Sequence, residues 1–448
     1  MNNDALTWAA LSPATFSHYC SNMQNVEYYI ASHIKKINNA LLRIENGTLK
    51  RLIISLPPRH GKSELCSKFF PSWFLIRNPN KRIILAGYEK DFAASWGRKA
   101  REIITEHGQN IGGVSVSDIS SAADRWETNY GGGMVCAGAG GAITGRGADV
   151  FIIDDPVKNS EEAHSKIYRE KIWDWYRSVA LTRLEPSGAM IIIMTRWHED
   201  DLVGKIIEQE GDQWEQIVFP AIDEKGNSLF PKRYPLSALL EIKNSVGSYI
   251  WNSLYQQQPS PQSGEIIKSE WLKICEPIAV SRPVRFWDLA VSIKTSADDH
   301  AGALCGYVGN NFVIADMIYG KMEYPDLRRR IIQQAISDGT NTMLCIEDAG
   351  QQRGFIDDIS RDPALSMHTI RAVRPSGDKF NRALPWVARA ELGTVYLCRG
   401  AWNRPFSDQC AAFTANDSHA HDDMIDAVSG AYQSINTNEN ATSTRISL

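Results

Sequence analysis

Two groups of side chains in this 448-residue chain have the types and spacings that handle phosphate. The first is Pro58-Arg59-His60-Gly61-Lys62-Ser63-Glu64. A Gly-Lys-Ser triplet at a tight turn offers backbone N–H groups to phosphate oxygens. Its lysine reaches the β- and γ-phosphates of a nucleotide, and its serine hydroxyl ligates Mg²⁺. Downstream, Asp154-Asp155 closes an apolar run. There Asp154 would hold Mg²⁺ through water, and Asp155 would orient and deprotonate an attacking water. The second group is acidic: Asp288, Glu347, and Asp422, Asp423 and Asp426 near the end of the chain. Carboxylate oxygens suit hard divalent cations, and two such ions about 3.5–4 Å apart cut a phosphodiester in line. Asp423 and Asp426, at i and i+3, share one helix face, whereas Asp422 points elsewhere.

Each signal alone has an ordinary reading. Gly-Lys-Ser can be a helix-starting turn, and the full pattern wants glycine where this chain has Leu56. Paired aspartates often cap a helix, and a lone strand aspartate is often structural. The context favours chemistry. Leu52, Ile53, Ile54 and Leu56 form a short apolar run suited to a buried strand, and Glu64–Ile76 carries apolar residues at helical spacing. Arg82–Gly87 is a second buried-strand candidate, followed by a helix through Ile104, a succession that predicts a parallel sheet. Met190–Met194 is a third apolar strand, ending in Thr195-Arg196. Strand ends of this kind point into the crevice where open α/β sheets bind ligands, so Thr195 is placed to sense a γ-phosphate. An arginine near that phosphate stabilises transition-state charge, worth roughly 10³–10⁵ in rate, and Arg146 and Arg59 are the candidates. His198 with Glu199, Asp200 and Asp201 lacks metal-site spacing and reads as a helix start.

Other stretches set the frame. Residues 1–50 read as helices, and 108–145, rich in Gly and Ser, as a flexible or functional loop. Residues 214–258 read as irregular structure with short helices, and the Gln/Pro/Ser/Gly run from Gln256 marks a linker over 256–270. Beyond it, strands at 284–291, 301–308 and 312–319 precede a helix at 324–338 and a strand at 342–349. A strand near 368–374, a helix at 379–392, a short strand at 394–398 and a helix at 421–434 follow. The tail, 436–448, reads as disordered. The resulting division is 1–255, linker 256–270, 271–435 and tail. Arg328–Arg330, Arg353, Arg371, Arg374, Lys379 and Arg382 concentrate basic charge in the second half, suited to phosphate contacts without base reading, or to a solvated helix face for Arg328–Arg330. Asp298 and Asp299 could assist the acidic group; His300, His419 and His421 read as surface or capping residues.

At 43% hydrophobic and 22% charged the composition is that of a globular protein. A net charge of −4 excludes a globally basic nucleic-acid binder but not a local basic groove. Eight scattered cysteines without a CxxC pair argue against a zinc site or disulfide framework and for a reducing compartment. The first residues lack the basic and apolar regions of a signal peptide, and no apolar stretch approaches the roughly 18 residues of a membrane helix.

PPRHGKSE at 57–64, GRGADVFIIDDPVKN at 145–159 and MTRWHEDDL at 194–202 together resemble the large terminase subunit of tailed bacteriophages and prophages. The second half resembles the RNase H/integrase fold, in its long form the terminase nuclease domain, and GDKFNR at 377–382 resembles a family segment beside that active site. The resemblance implies an α/β protein with an N-terminal P-loop NTPase of ASCE type, built on a mostly parallel sheet, and a C-terminal RNase H-like mixed-sheet nuclease. It implies ATP and Mg²⁺, with Mn²⁺ able to substitute in the nuclease. It also implies double-stranded DNA, the procapsid portal protein and a small terminase subunit as partners. A pentameric ring on the portal, monomers in solution and a place in the host bacterial cytoplasm belong to the same expectation. Thr195 then falls in the coupling motif, and Asp423 is the first choice for the third nuclease ligand. The family usually carries Glu where this chain has Asp155. Two rival readings are a P-loop helicase fused to a resolvase-like nuclease and a non-catalytic ATP-dependent DNA-binding scaffold. Residues 202–260 carry no recognisable later helicase motifs, and the full set of acids weighs against a scaffold.

Overall fold

A computed structural model describes residues 3–143, 145, 147–259, 266–289, 300–350, 353–375, 377–414 and 422–443. Two compact units emerge: residues 1–240 with 250–261, and 241–249 with 262–448.

The first unit is built on eight strands: β1 (Arg51–Ser55), β2 (Arg82–Gly87), β3 (Val116–Ser121), β4 (Arg125–Thr128), β5 (Gly133–Gly138), β6 (Ala148–Asp154), β7 (Leu184–Met194) and β8 (Glu215–Val218). They lie in the order β3-β4-β5-β2-β6-β7-β1-β8. All pairings from β5 to β8 are parallel; β3 and β4 add an antiparallel edge. The apolar runs noted above follow from burial on both faces. Leu52 and Ile54 enter one core with Ile83, Ile152 and Ile191, while Ile53 enters the opposite one with Ile84, Ile153 and Ile192. The strand ending at Met194 lies between the strand before Gly-Lys-Ser and the strand before Asp155, the strand order of the ASCE type.

The second unit carries a seven-stranded sheet: β9 (Lys273–Cys275), β10 (Ser281–Asp288), β11 (His300–Val308), β12 (Asn311–Gly320), β13 (Met343–Glu347), β14 (Ile370–Val373) and β15 (Val395–Cys398). Their order is β14-β13-β10-β11-β12-β15-β9. The pairs β10–β11 and β11–β12 are antiparallel and the rest parallel, so the sheet is mixed. Strand alternation decides which side chains face which layer. Val284 and Phe286 join the core beneath the helix Asp423–Ser443, whereas Trp287 and Leu289 join the other. Asp288 follows Val284 and Phe286 in that alternation. On β13, Cys345 enters the first core and Leu344 and Ile346 the second, so Glu347 shares the side of Asp288.

Several stretches differ from the sequence reading. Residues 108–145 hold β3, β4 and β5; Gly131 and Gly133 take φ of 82° and 152° at the β4–β5 turn, so these two glycines serve a hairpin. Residues 214–258 contain β8 and a helical run, Leu236–Ile250, broken at Gly247. The segment expected as a linker is tied down at both ends. Gln256 donates to the Ile222 carbonyl at 2.9 Å, Gln257 is buried, and Ile266 and Ile267 join the core of the second unit. Glutamine reads as solvated in composition yet satisfies buried backbone groups. The last helix starts at Asp423 and continues to Ser443, into the stretch expected as a disordered tail.

The packing of that helix on β10 generates a prediction. A Cβ at Gly430 would lie 2.3 Å from the Phe286 ring. Gly430→Ala should destabilise the second unit by about 1–3 kcal/mol despite its gain in helix propensity. Denaturant unfolding reads the change, and unaltered or raised stability would show that the ring yields.

Candidate active sites

The parallel register brings the first group together. Ser55 pairs with Met194, and Asp154 with both Gly87 and Ile193, so β1, β6 and β7 end on one edge. From that edge emerge the turn Pro57–Ser63, Asp154-Asp155 and Thr195. Arg59 and Gly61 take the left-handed φ values in the turn, 61° and 90°, while Leu56 is buried. Glycine is therefore required at Gly61 and not at Leu56. The helix after the turn opens with a wide π segment, Glu64–Phe69, in which Phe70 donates to the Leu65 carbonyl, and continues as Phe70–Arg77. Pro71, which has no N–H to donate, sits at its start.

Lys62 reaches Asp155 at 2.7 Å and the Thr195 hydroxyl at 3.0 Å. The Thr195 main-chain N–H donates to the other Asp155 oxygen at 3.0 Å. Asp154 is fully buried and accepts from Ser63 at 2.9 Å and Ser67 at 2.7 Å. Burial and the adjacent Asp155 push its carboxyl up to about 7, against the opposing pull of Lys62. Asp155 holds a φ of 45°, which a non-glycine residue seldom adopts, and the Lys62 and Thr195 contacts keep it there. Beneath the turn, His60 is buried and stacks on Tyr234 with centroids 4.8 Å apart. Its Nδ1 donates to the Pro58 carbonyl at 2.8 Å, and burial lowers its pKa to about 4, so it is neutral. His60 therefore shapes the turn from its inner side. A cavity of about 690 Å³ opens beside the turn, lined by Arg59–Glu64 together with Tyr29, Trp96, Phe230 and Lys232.

The second group also converges. Burial raises the pKa of Asp288 well above the usual carboxylate range, reinforced by Glu347, then Asp426, then Asp423, with Lys379 opposing. Arg382 bridges Glu347 at 3.3 Å and Asp426 at 2.9 Å. Lys379 bridges Asp422 at 2.5 Å and Asp426 at 2.9 Å. Among the described residues no three carboxylate, imidazole or thiol groups converge closely enough to hold one ion as they stand. The donor set nevertheless fits hard cations, because acidic side chains from β10, β13 and the last helix outnumber the two cations among them.

Sequence reasoning missed Ser67, a second hydroxyl on Asp154, and Gln257, whose side chain accepts from the Arg196 N–H at 3.1 Å. Ser67 lies one helical turn past Ser63, a spacing that could have drawn attention to it. Lys379 and Arg382, expected to contact DNA phosphates, are paired with carboxylates of the acidic centre. Arg328 is spoken for by Asp358 and Asp362, and Arg353 by Asp348. Asp201 caps the helix Leu202–Glu210 and pairs with Arg196, so the acidic residues after His198 start a helix. His300 lies 3.2 Å from the Met322 carbonyl and is buried, not a surface residue. Arg146, Asp298, Asp299, His419 and His421 lie outside the described residues.

The raised pKa of Asp154 generates a pH prediction. An unfolded aspartate titrates near ~3.9. Between there and about 7 the folded chain holds a proton that the unfolded chain releases, so this residue's contribution to stability falls as pH rises. Nucleotide-free Asp154→Asn should therefore melt above the parent at pH 8, with the difference gone near pH 4. Calorimetry checks this, and a variant less stable at pH 8 would contradict it.

Comparison with known proteins also finds two parts. The family described as terminase large subunit, T4likevirus-type, N-terminal, matches residues 53–274, and the terminase RNaseH-like domain matches 285–434. The large terminase of a thermophilic bacteriophage superposes with a TM-score of 0.52 at 9% identity, over 89% of this chain and 98% of that one. The HK97 bacteriophage large terminase gives 0.35 at 12%, over 83% and 86%. The Thermus phage P74-26 large terminase ATPase domain gives 0.34 at 15%, over 54% and 97%. No curated protein matches the sequence. At such identities the first of these likenesses speaks for fold, and membership rests on the two family matches, which follow one another along the chain in the order of the two units. This chain belongs to the large terminase subunit family, phage DNA-packaging proteins that join an ATPase to an RNase H-like nuclease.

Proposed function

We propose that ATP hydrolysis in the first unit drives double-stranded DNA into a procapsid, and that the second unit cuts concatemeric DNA into genome lengths. The observation that carries this reading is the placement of Lys62 between Asp155 and Thr195. Lys62 is the counter-ion of Asp155. A γ-phosphate that draws Lys62 away leaves an Asp155 oxygen open to accept a proton from the attacking water. Thr195 loses the same lysine contact while its N–H stays on Asp155, so the end of β7 registers whether phosphate is present. The aromatic side of the cavity, Tyr29, Trp96 and Phe230, takes the base, and its volume lies in the range of nucleotide sites. Arg59 or Arg146 supplies the positive charge opposite the γ-phosphate.

Ser63 and Asp154 would hold the divalent ion that neutralises the phosphates; Asp288, Glu347 and Asp423, with Asp422 and Asp426, would hold those that polarise the scissile phosphodiester. Mg²⁺ is the proposed ion at both centres, with Mn²⁺ able to substitute at the second. The proposed division is a motor over 1–255 and a nuclease over 271–435, joined by 256–270. The portal, a small terminase subunit and a ring of like chains complete the assembly in the host cytoplasm. Among the described residues no helix is long and apolar enough to cross a membrane.

Lys62→Ala should abolish ATP hydrolysis and leave Mn²⁺-dependent plasmid cutting intact; a variant with full ATPase would remove Lys62 from the site. Asp288→Ala should do the reverse, and retained cutting would exclude Asp288.

A further inference from the structure

The acidic centre of the second unit contains its own cations, and they differ in kind. Arg382 is buried, joins Glu347 to Asp426, and cannot deprotonate in a protein. Lys379 sits at the start of the helix Lys379–Glu391 with its side chain 46% exposed, and its ammonium bonds to Asp422 and Asp426. A compact ammonium on a flexible four-carbon stem can withdraw, whereas a planar guanidinium fixed by buried Asp426 and half-buried Glu347 cannot. Among the described residues Asp288 forms no ion pair with either cation, and Glu347 is the acid that presses on it hardest.

We propose that Lys379 occupies the place of one divalent ion and must be displaced before the nuclease centre loads fully. Arg382 is the permanent brace. The inference rests on the nuclease reading above and deepens it, by assigning two unlike tasks to two basic residues of one helix. The Lys379 charge holds Asp422 and Asp426 close together against their repulsion. An ion entering between Asp288 and Glu347 has no ammonium to drive off. An ion entering at Asp426 does, so loading at that side is weaker. The nuclease would thus stay incompletely charged until something moves Lys379. A DNA phosphate, which offers the ammonium another anion, is the chemistry suited to do so.

A charge at 4–6 Å changes the proton affinity of a carboxylate by about 1–3 log units, and a divalent ion responds at least as strongly. Mn²⁺ is therefore titrated calorimetrically into the full nucleotide-free chain, with the Asp288→Ala chain as the blank for ions bound elsewhere. Lys379→Met and Lys379→Gln should bind Mn²⁺ about tenfold more tightly at the weaker step, while Lys379→Arg should not. Having two neutral variants keeps the test alive if one misfolds, which a thermal melt reveals. Equal or weaker binding in both neutral variants overturns the inference, because a lysine that merely braces the helix would lower metal affinity when lost. A parent chain whose titration matches that of Asp288→Ala would instead overturn the nuclease reading.

Discussion

Like charges cannot be gathered in a protein interior without counter-charges, and this constraint shapes both centres. The first collects Asp154 and Asp155 at one strand end, and the second collects Asp288, Glu347 and three aspartates around the start of one helix. Removing carboxylates from water disfavours their ionised form, and crowding them adds to the cost. The consequences are visible in Asp154, whose carboxyl is pushed up to about 7, and in Asp288, which is raised well above its ordinary range. Lys62 answers the first cluster; Lys379 and Arg382 answer the second. In each case a lysine that a phosphate could recruit is the partner of an acid that chemistry would need.

The backbone makes that gathering possible. In the first unit, parallel strands buried on both faces end in register, so three separate segments deliver Lys62, Asp155 and Thr195 to one edge. The strand that ends just before Thr195 separates the other two, and Thr195 therefore touches both the lysine and the second aspartate. In the second unit, alternation along β10 and β13 turns Asp288 and Glu347 to the face covered by the last helix. The close approach of Gly430 to Phe286 lets that helix settle on the sheet near enough to present Asp423 and Asp426. A side chain at Gly430 would lift the helix and carry its acids with it.

Backbone conformation refines the same picture. The Pro57–Ser63 turn puts its left-handed residues at Arg59 and Gly61, which frees Leu56 to pack in the core. A buried, neutral His60 beneath the turn sets its inner face without adding charge beside Lys62. The first centre thus keeps a single lysine to answer its acids, where a charged imidazole would have competed.

Sequence alone singled out Gly61-Lys62-Ser63 with Asp154-Asp155 and, separately, the acids Asp288, Glu347 and Asp423 as candidates, because short-range pattern sets strand, turn and helix around each. Alternating strands and helices likewise indicated a parallel first sheet, and the family resemblance a mixed second one. Only tertiary structure decided which charges meet. Lys379 and Arg382 look like any exposed basic residues of an amphipathic helix until β13 and the last helix are packed beside them. Ser67 is an unremarked helix serine until β6 places Asp154 against it. The glycine-rich stretch at 108–145 looked like a loop because β5 is anchored by pairing with β2, far earlier in the chain. Ion pairs and strand pairings join residues distant in sequence, and their geometry depends on packing that local periodicity does not encode.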